Sequence, residues 1–247
     1  MKNFKKTIKT TVLFLIVLTI FSSAVMEFFF SSESYFYQDY RERDELAGTL
    51  DYFILGSSHG LRAFRPDIID TELDVNSYNL SGSLMTMFGK YEMLKYEAGR
   101  NPVKTLVLEM ASSSIPRNRK TEGPEGEIYI LGRIRDIPSR LAYFFKSIRP
   151  SEYGKTYYAL LNRGVKCFYK FRNGNLTKYN TKAFKGFAPF KKDFTDISIN
   201  YRKKFNSQSL DTKIYEPNID YLDKIVAFCK ENDIRLIIVT KIGRAHV

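Results

Sequence analysis

The residues best suited to chemistry in this chain are small and hydroxylic. Ser57 and Ser58 follow Gly56, Ser81 and Ser83 flank Gly82, and Ser112, Ser113 and Ser114 follow Ala111. A serine that attacks an ester needs a base for its proton and backbone N–H donors for the charge that develops. Gly and Ser together supply hydroxyls and uncrowded amides. Each cluster also has a plain structural role, as a turn or as the cap of a following helix. On position alone, nucleophile and helix cap are both open to Ser57 and Ser58. His59 follows Ser58 directly, and adjacent side chains point apart, so His59 is placed at the edge of a site and not as the base.

The elements around these clusters are expected to bring them together. Tyr52, Phe53, Ile54 and Leu55 run straight into Gly56, a pattern that predicts a buried parallel strand breaking into a tight turn. Residues 61–69 begin as a helix that Pro66 interrupts. Residues 74–80 form a short second strand that ends at Ser81-Gly82-Ser83. Helical spacing over 85–98 puts Met85, Phe88, Tyr91, Met93 and Leu94 on one buried side, and Gly99 stops the helix. Residues 103–110 read as a third strand, ending in the Ala111 to Ser114 cluster. An amphipathic helix over 218–231 and a fourth strand over 234–240 complete the pattern. Strands alternating with helices predict an α/β fold with a parallel, doubly wound sheet. Parallel connection carries the three small polar strand ends to one edge, where such sheets bind ligands.

The residues now in hand resemble the SGNH/GDSL-type esterases and acyltransferases. Gly56-Ser57-Ser58 is similar to that family's first block, which implies Ser58 as nucleophile and its amide as an oxyanion donor. Asn79-Leu80-Ser81-Gly82 is similar to the second block, which implies Gly82 as the further oxyanion donor and puts Asn79 and Ser81 with His59 along the site. The third block departs from the family. Where Gly-x-Asn-Asp is usual, this chain has Ala111-Ser112-Ser113-Ser114, and Ser113 is the substitute that the pattern offers for the missing Asn. No Asp-x-x-His block, the family's source of a general base, occurs in the 247 residues. The resemblance covers roughly residues 50–115 and 215–240. It implies a three-layer α/β/α domain of flavodoxin-like strand order, and neither a cofactor nor a metal. Within the family it is nearest to the membrane-anchored proteins that modify cell-envelope polymers, including those of teichoic-acid D-alanylation. The reading divides the chain into an anchor (1–30), a linker (31–50), the first part of the α/β domain (51–116), a basic insert or lid (117–204), the domain's continuation (205–240) and a tail (241–247).

The flanking segments set location and partners. Lys2, Lys5, Lys6 and Lys9 precede an apolar run close to the ~20 residues that cross a bilayer. This predicts a single-pass anchor with a cytoplasmic amino terminus and the main domain outside. A cleaved signal peptide is the alternative, with a small-residue site at Ser22-Ser23-Ala24. Residues 117–204 hold 21 Lys and Arg against 7 Asp and Glu, so the formal net charge of +12 is concentrated there. Outside a membrane, such a block favours anionic glycopolymer or lipid head groups, and export argues against nucleic acid. An acylated envelope polymer and a membrane acyltransferase are the further partners this reading implies, with a non-catalytic scaffold as the alternative to an enzyme. Cys167 and Cys229 have no metal-ligand spacing, and a disulfide between them stays open. Residues 242–247 read as an in-frame translation of a common sequencing-library adapter, so the chain is expected to be truncated before the final sheet elements, with His246 carrying no role.

Overall fold

The computed structural model describes residues 6–14, 17–18, 39, 42–110, 114–115, 125–156, 158, 184–188 and 214–240. Four strands make one sheet: β1 (Tyr52–Leu55), β2 (Ser77–Asn79), β3 (Thr105–Met110) and β4 (Arg235–Thr240), in the order β2-β1-β3-β4. Every pairing is parallel. Among the described residues, the helices that bear on the sheet and the site are α1 (Gly60–Ala63), α2 (Pro66–Leu73), α3 (Met87–Ala98), α4 (Glu125–Leu131), α5 (Ile137–Ser147) and α6 (Glu216–Glu231). The α/β class and the parallel sheet expected from the sequence are therefore both present.

Local chemistry explains where the helices begin. Pro66 does not merely interrupt a helix: it opens α2, since its fixed φ and missing N–H suit the first turn. Pro138 acts in the same way. The Asp136 carboxylate accepts from the Ser139 N–H at 2.8 Å, so α5 begins at Ile137 with the proline in its first turn. Burial of Asp136 opposes its ionised form, but the hydrogen bonds from Ser139 win and hold its carboxyl below the usual range. α3 begins behind Thr86, whose hydroxyl accepts from the Gly89 N–H at 3.0 Å.

One side of the sheet carries the main core. Phe53, Leu55, Leu106 and Leu108 pack with Phe88, Met93 and Leu94 of α3 and with Ile225 and Cys229 of α6. The two helices meet through rings, with Phe88 and Tyr221 edge-on at 5.2 Å. Each large apolar side chain so buried contributes about 1.5–3 kcal/mol, and the buried side expected for residues 85–98 is the one observed. Ile130 of α4 and Tyr143 of α5 close the same core.

Two segments are more deeply built in than their composition suggests. Within residues 31–50, read above as a linker, Asp39, Arg43 and Leu50 are buried. Arg43 pairs with Glu97 and, at 3.2 Å, with Asp39, and it donates to the Arg133 carbonyl at 2.6 Å. Burial disfavours the Arg43 charge, yet Asp39 and Glu97 more than offset this and hold the guanidinium protonated above its usual range. Arg133 belongs to the basic block, yet it too is buried. From the same block, residues 184–188 make a tight turn along β2. Lys185 and Gly186 both have positive φ, 44° and 78°, as a two-residue hairpin turn requires. The Lys185 carbonyl accepts from the Asn79 N–H at 2.9 Å, and the Ala188 N–H donates to Leu61 at 3.2 Å.

Of the anchor expected over residues 1–30, residues 6–14 and 17–18 are described, and they are helical and exposed. Among the described residues no helix is long and apolar enough to cross a membrane, so the structure does not support that expectation. Ser112, Ser113, Cys167 and His246 lie outside the described residues, as do most of the basic insert and the tail. Cys229 is a free, buried thiol.

Candidate active site

The strand register brings the first two small polar clusters together. Ile54 pairs with Asn79 and Leu55 with Leu108, so Gly56, Ser81 and Glu109 become neighbours just past the paired ends. The β1–β2 ladder extends beyond the strands: the Leu80 N–H donates to Ile54 at 2.8 Å and the Gly82 N–H to Gly56 at 3.1 Å. The turn that carries the serines is thus stitched to the end of β2.

Within this turn the two serines are held differently. The Ser57 hydroxyl accepts from the His59 N–H at 3.1 Å, a local side-chain-to-backbone bond of the serine-turn kind, while the N-cap position of α1 is His59, with no side-chain cap bond. The Ser57 carbonyl accepts from the Leu61 N–H at 3.0 Å as α1 begins. Ser58 is half-buried, and its hydroxyl has no partner among the described residues. His59 is exposed. Its Nδ1 lies 3.5 Å from the Ser57 hydroxyl, so its near contact is with Ser57 and not with Ser58.

Three expected site residues turn out to be held differently. Gly82 was assigned an oxyanion role, but its single N–H is directed at the Gly56 carbonyl and has no second proton to give. Asn79 was expected to line the site and is instead fully buried. Its side-chain amide donates to the carbonyls of Gly60 and Phe64, each at 3.0 Å, and its carbonyl oxygen accepts from the Ser81 N–H at 3.0 Å. Asn79 therefore ties α1 to the end of β2. Ser81 is also fully buried, with its hydroxyl unpartnered among the described residues.

Beneath the serine turn lie groups that motif reading passed over. Glu109, near the end of β3, is 2% exposed, and its Oε2 accepts from the Ser57 N–H at 2.7 Å. Lys90, fully buried in α3, donates from Nζ to the Glu109 carbonyl at 2.8 Å. Arg133 donates to the Leu80 carbonyl and, at 2.9 Å, to the Ser81 carbonyl. A signal existed for the first two: a glutamate inside an apolar strand and a lysine inside an apolar helix face. For Arg133 the surrounding charge excess concealed a buried role.

An open depression of about 960 Å³, lined in part by Asp44, Tyr96, Arg100 and Arg135, lies where α3 ends. That is the end of the sheet away from Ser58, and Asp44 pairs there with both arginines, so no chemistry is assigned to it. Among the described residues no group of three His, Cys, Asp or Glu could hold a metal ion. Comparison with protein-family models, with curated proteins and with solved structures returned no match.

Proposed function

We propose that the chain is a membrane-anchored, extracytoplasmic serine esterase or acyltransferase of the SGNH type, acting on acyl esters of a cell-envelope glycopolymer. The observation that carries the reading is the contrast at the strand end, where the Ser57 hydroxyl is bound to the His59 N–H and the half-buried Ser58 has a hydroxyl with no partner among the described residues. Ser58 is the nucleophile, and its own amide is an oxyanion donor. Gly82 joins it only if its N–H leaves the Gly56 carbonyl. On this reading the β2-β1-β3-β4 order is the start of a flavodoxin-like three-layer domain, and Ser113 is the substitute for the family's third-block Asn. This reading needs a general base for Ser58, and no Asp-x-x-His motif occurs in the 247 residues. The basic block holds anionic polymer or lipid head groups near the site. A second reading, a non-catalytic scaffold that presents polymer to a membrane acyltransferase, is favoured by the engaged Gly82 amide.

A fluorophosphonate probe on protein expressed from the complete locus separates the two. Labelling of wild type at Ser58, abolished by Ser58→Ala, supports the enzyme. Wild type that stays unlabelled while binding anionic polymer supports the scaffold, and labelling that survives Ser58→Ala removes Ser58 from the mechanism.

A further inference from the structure

We propose that Glu109 is a positioning residue for Ser58, an inference that rests on the serine-enzyme reading above. The turn is built around this carboxylate. A Cβ at Gly56 would lie 2.8 Å from Glu109 Oε2 and 2.9 Å from both Glu109 Cβ and the Ser81 hydroxyl. Glycine at 56 is thus what lets the carboxylate reach the Ser57 N–H. Gly60 plays the matching part from the other side, where a Cβ would meet the Ser81 hydroxyl at 2.7 Å.

The bond to the Ser57 N–H is charge-assisted and short, the stronger kind. It fixes the Gly56–Ser57 peptide, and Ser58 follows one residue later, so the direction of its hydroxyl and amide is set from below. Lys90 fixes the other end of the same residue through the Glu109 carbonyl. The remaining oxygen, Oε1, is buried and unpartnered among the described residues, as is the Ser81 hydroxyl on the other side of Gly56. A carboxylate in so dry a place is costly, and a purely apolar floor could pack the turn without it. What an apolar residue lacks is an acceptor for the Ser57 N–H.

Glutamine keeps that acceptor and removes the charge, so it separates positioning from electrostatics. In protein from the complete locus, the rate of fluorophosphonate labelling at Ser58 is expected to fall about ten- to a hundredfold in Glu109→Ala, the scale expected of a misplaced reacting group. The expected loss in kcat for ester hydrolysis is of the same order, with KM changed little. Glu109→Gln is expected to restore most of the rate. Hydrogen exchange at the Ser57 amide is expected to quicken in the alanine variant and to stay protected in the glutamine one. Wild-type labelling and exchange in Glu109→Ala would overturn the proposal, and so would a Glu109→Gln as slow as the alanine variant. Unlabelled wild type would instead remove the serine-enzyme reading, and with it any positioning role. Ser57 exchange would then show whether the carboxylate still holds the turn.

Discussion

Replacing Arg133 by methionine tests whether the floor of the site is held by a buried guanidinium. Methionine keeps a stem of similar length and deletes the head. The Leu80 and Ser81 carbonyls then lose their donors, at about 1–3 kcal/mol for each buried group left unsatisfied. The Asp39 carboxylate, 3.7 Å from Arg133 Nε, keeps Arg43 at 3.2 Å and the Tyr78 hydroxyl at 3.1 Å, and removing one partner of a buried ion pair costs about 3–5 kcal/mol. These losses share the same atoms and do not add, so a total of about 3–5 kcal/mol is expected. Urea unfolding followed by far-UV circular dichroism gives the value directly. Arg133→Lys should recover less than half of it, because a lysine cannot fork across two carbonyls. Arg135→Met is the control: that side chain is 64% exposed in its pair with Asp44, and such surface pairs contribute at most about 1 kcal/mol. If Arg133→Met and Arg135→Met unfold at the same urea concentration, the clamp reasoning is refuted.

Gly186→Ala should lose about 2–4 kcal/mol, since φ is +78° and a Cβ would lie 2.8 Å from Tyr78 Cε1 and press on the Asn79 carbonyl. Denaturant unfolding checks this, and a loss below about 0.5 kcal/mol would show that the turn is not tied to β2 as described. Burial pushes the Cys229 thiol up to about 11, so the folded state favours the neutral form. Its contribution to stability is complete below the ordinary thiol value and is lost as pH rises through about 11. At pH 8, peptide mapping should find Cys229 unalkylated by iodoacetamide in folded protein and alkylated in urea, and equal rates in both would contradict the burial.

The local pattern determined much of the fold. Apolar runs broken by Gly or Ser marked the strands, and the spacing of Phe88, Met93 and Leu94 marked the buried side of α3, because both depend on near neighbours in the chain. A proline misled on one helix limit: Pro66 looked like an interruption until the structure showed it opening α2. Composition misled further, since a charged stretch reads as solvated unless its partners are known. Asp39 and Arg43 in the apparent linker and Arg133 in the basic block are buried because Glu97 and the carbonyls at the end of β2 wait for them from distant parts of the chain.

For the site, the sequence by itself determined that serines end two strands and that those strands run parallel. It could not say which serine the turn engages, because a hydroxyl's role is decided by the N–H it meets. Only the tertiary structure bound the Ser57 hydroxyl into the turn and left that of Ser58 without a partner among the described residues. The same long-range register turned the Gly82 amide toward Gly56 and drew Glu109, 52 positions from Ser57, beneath the turn. Spacing along a chain fixes which groups are available, and the sheet fixes which of them meet.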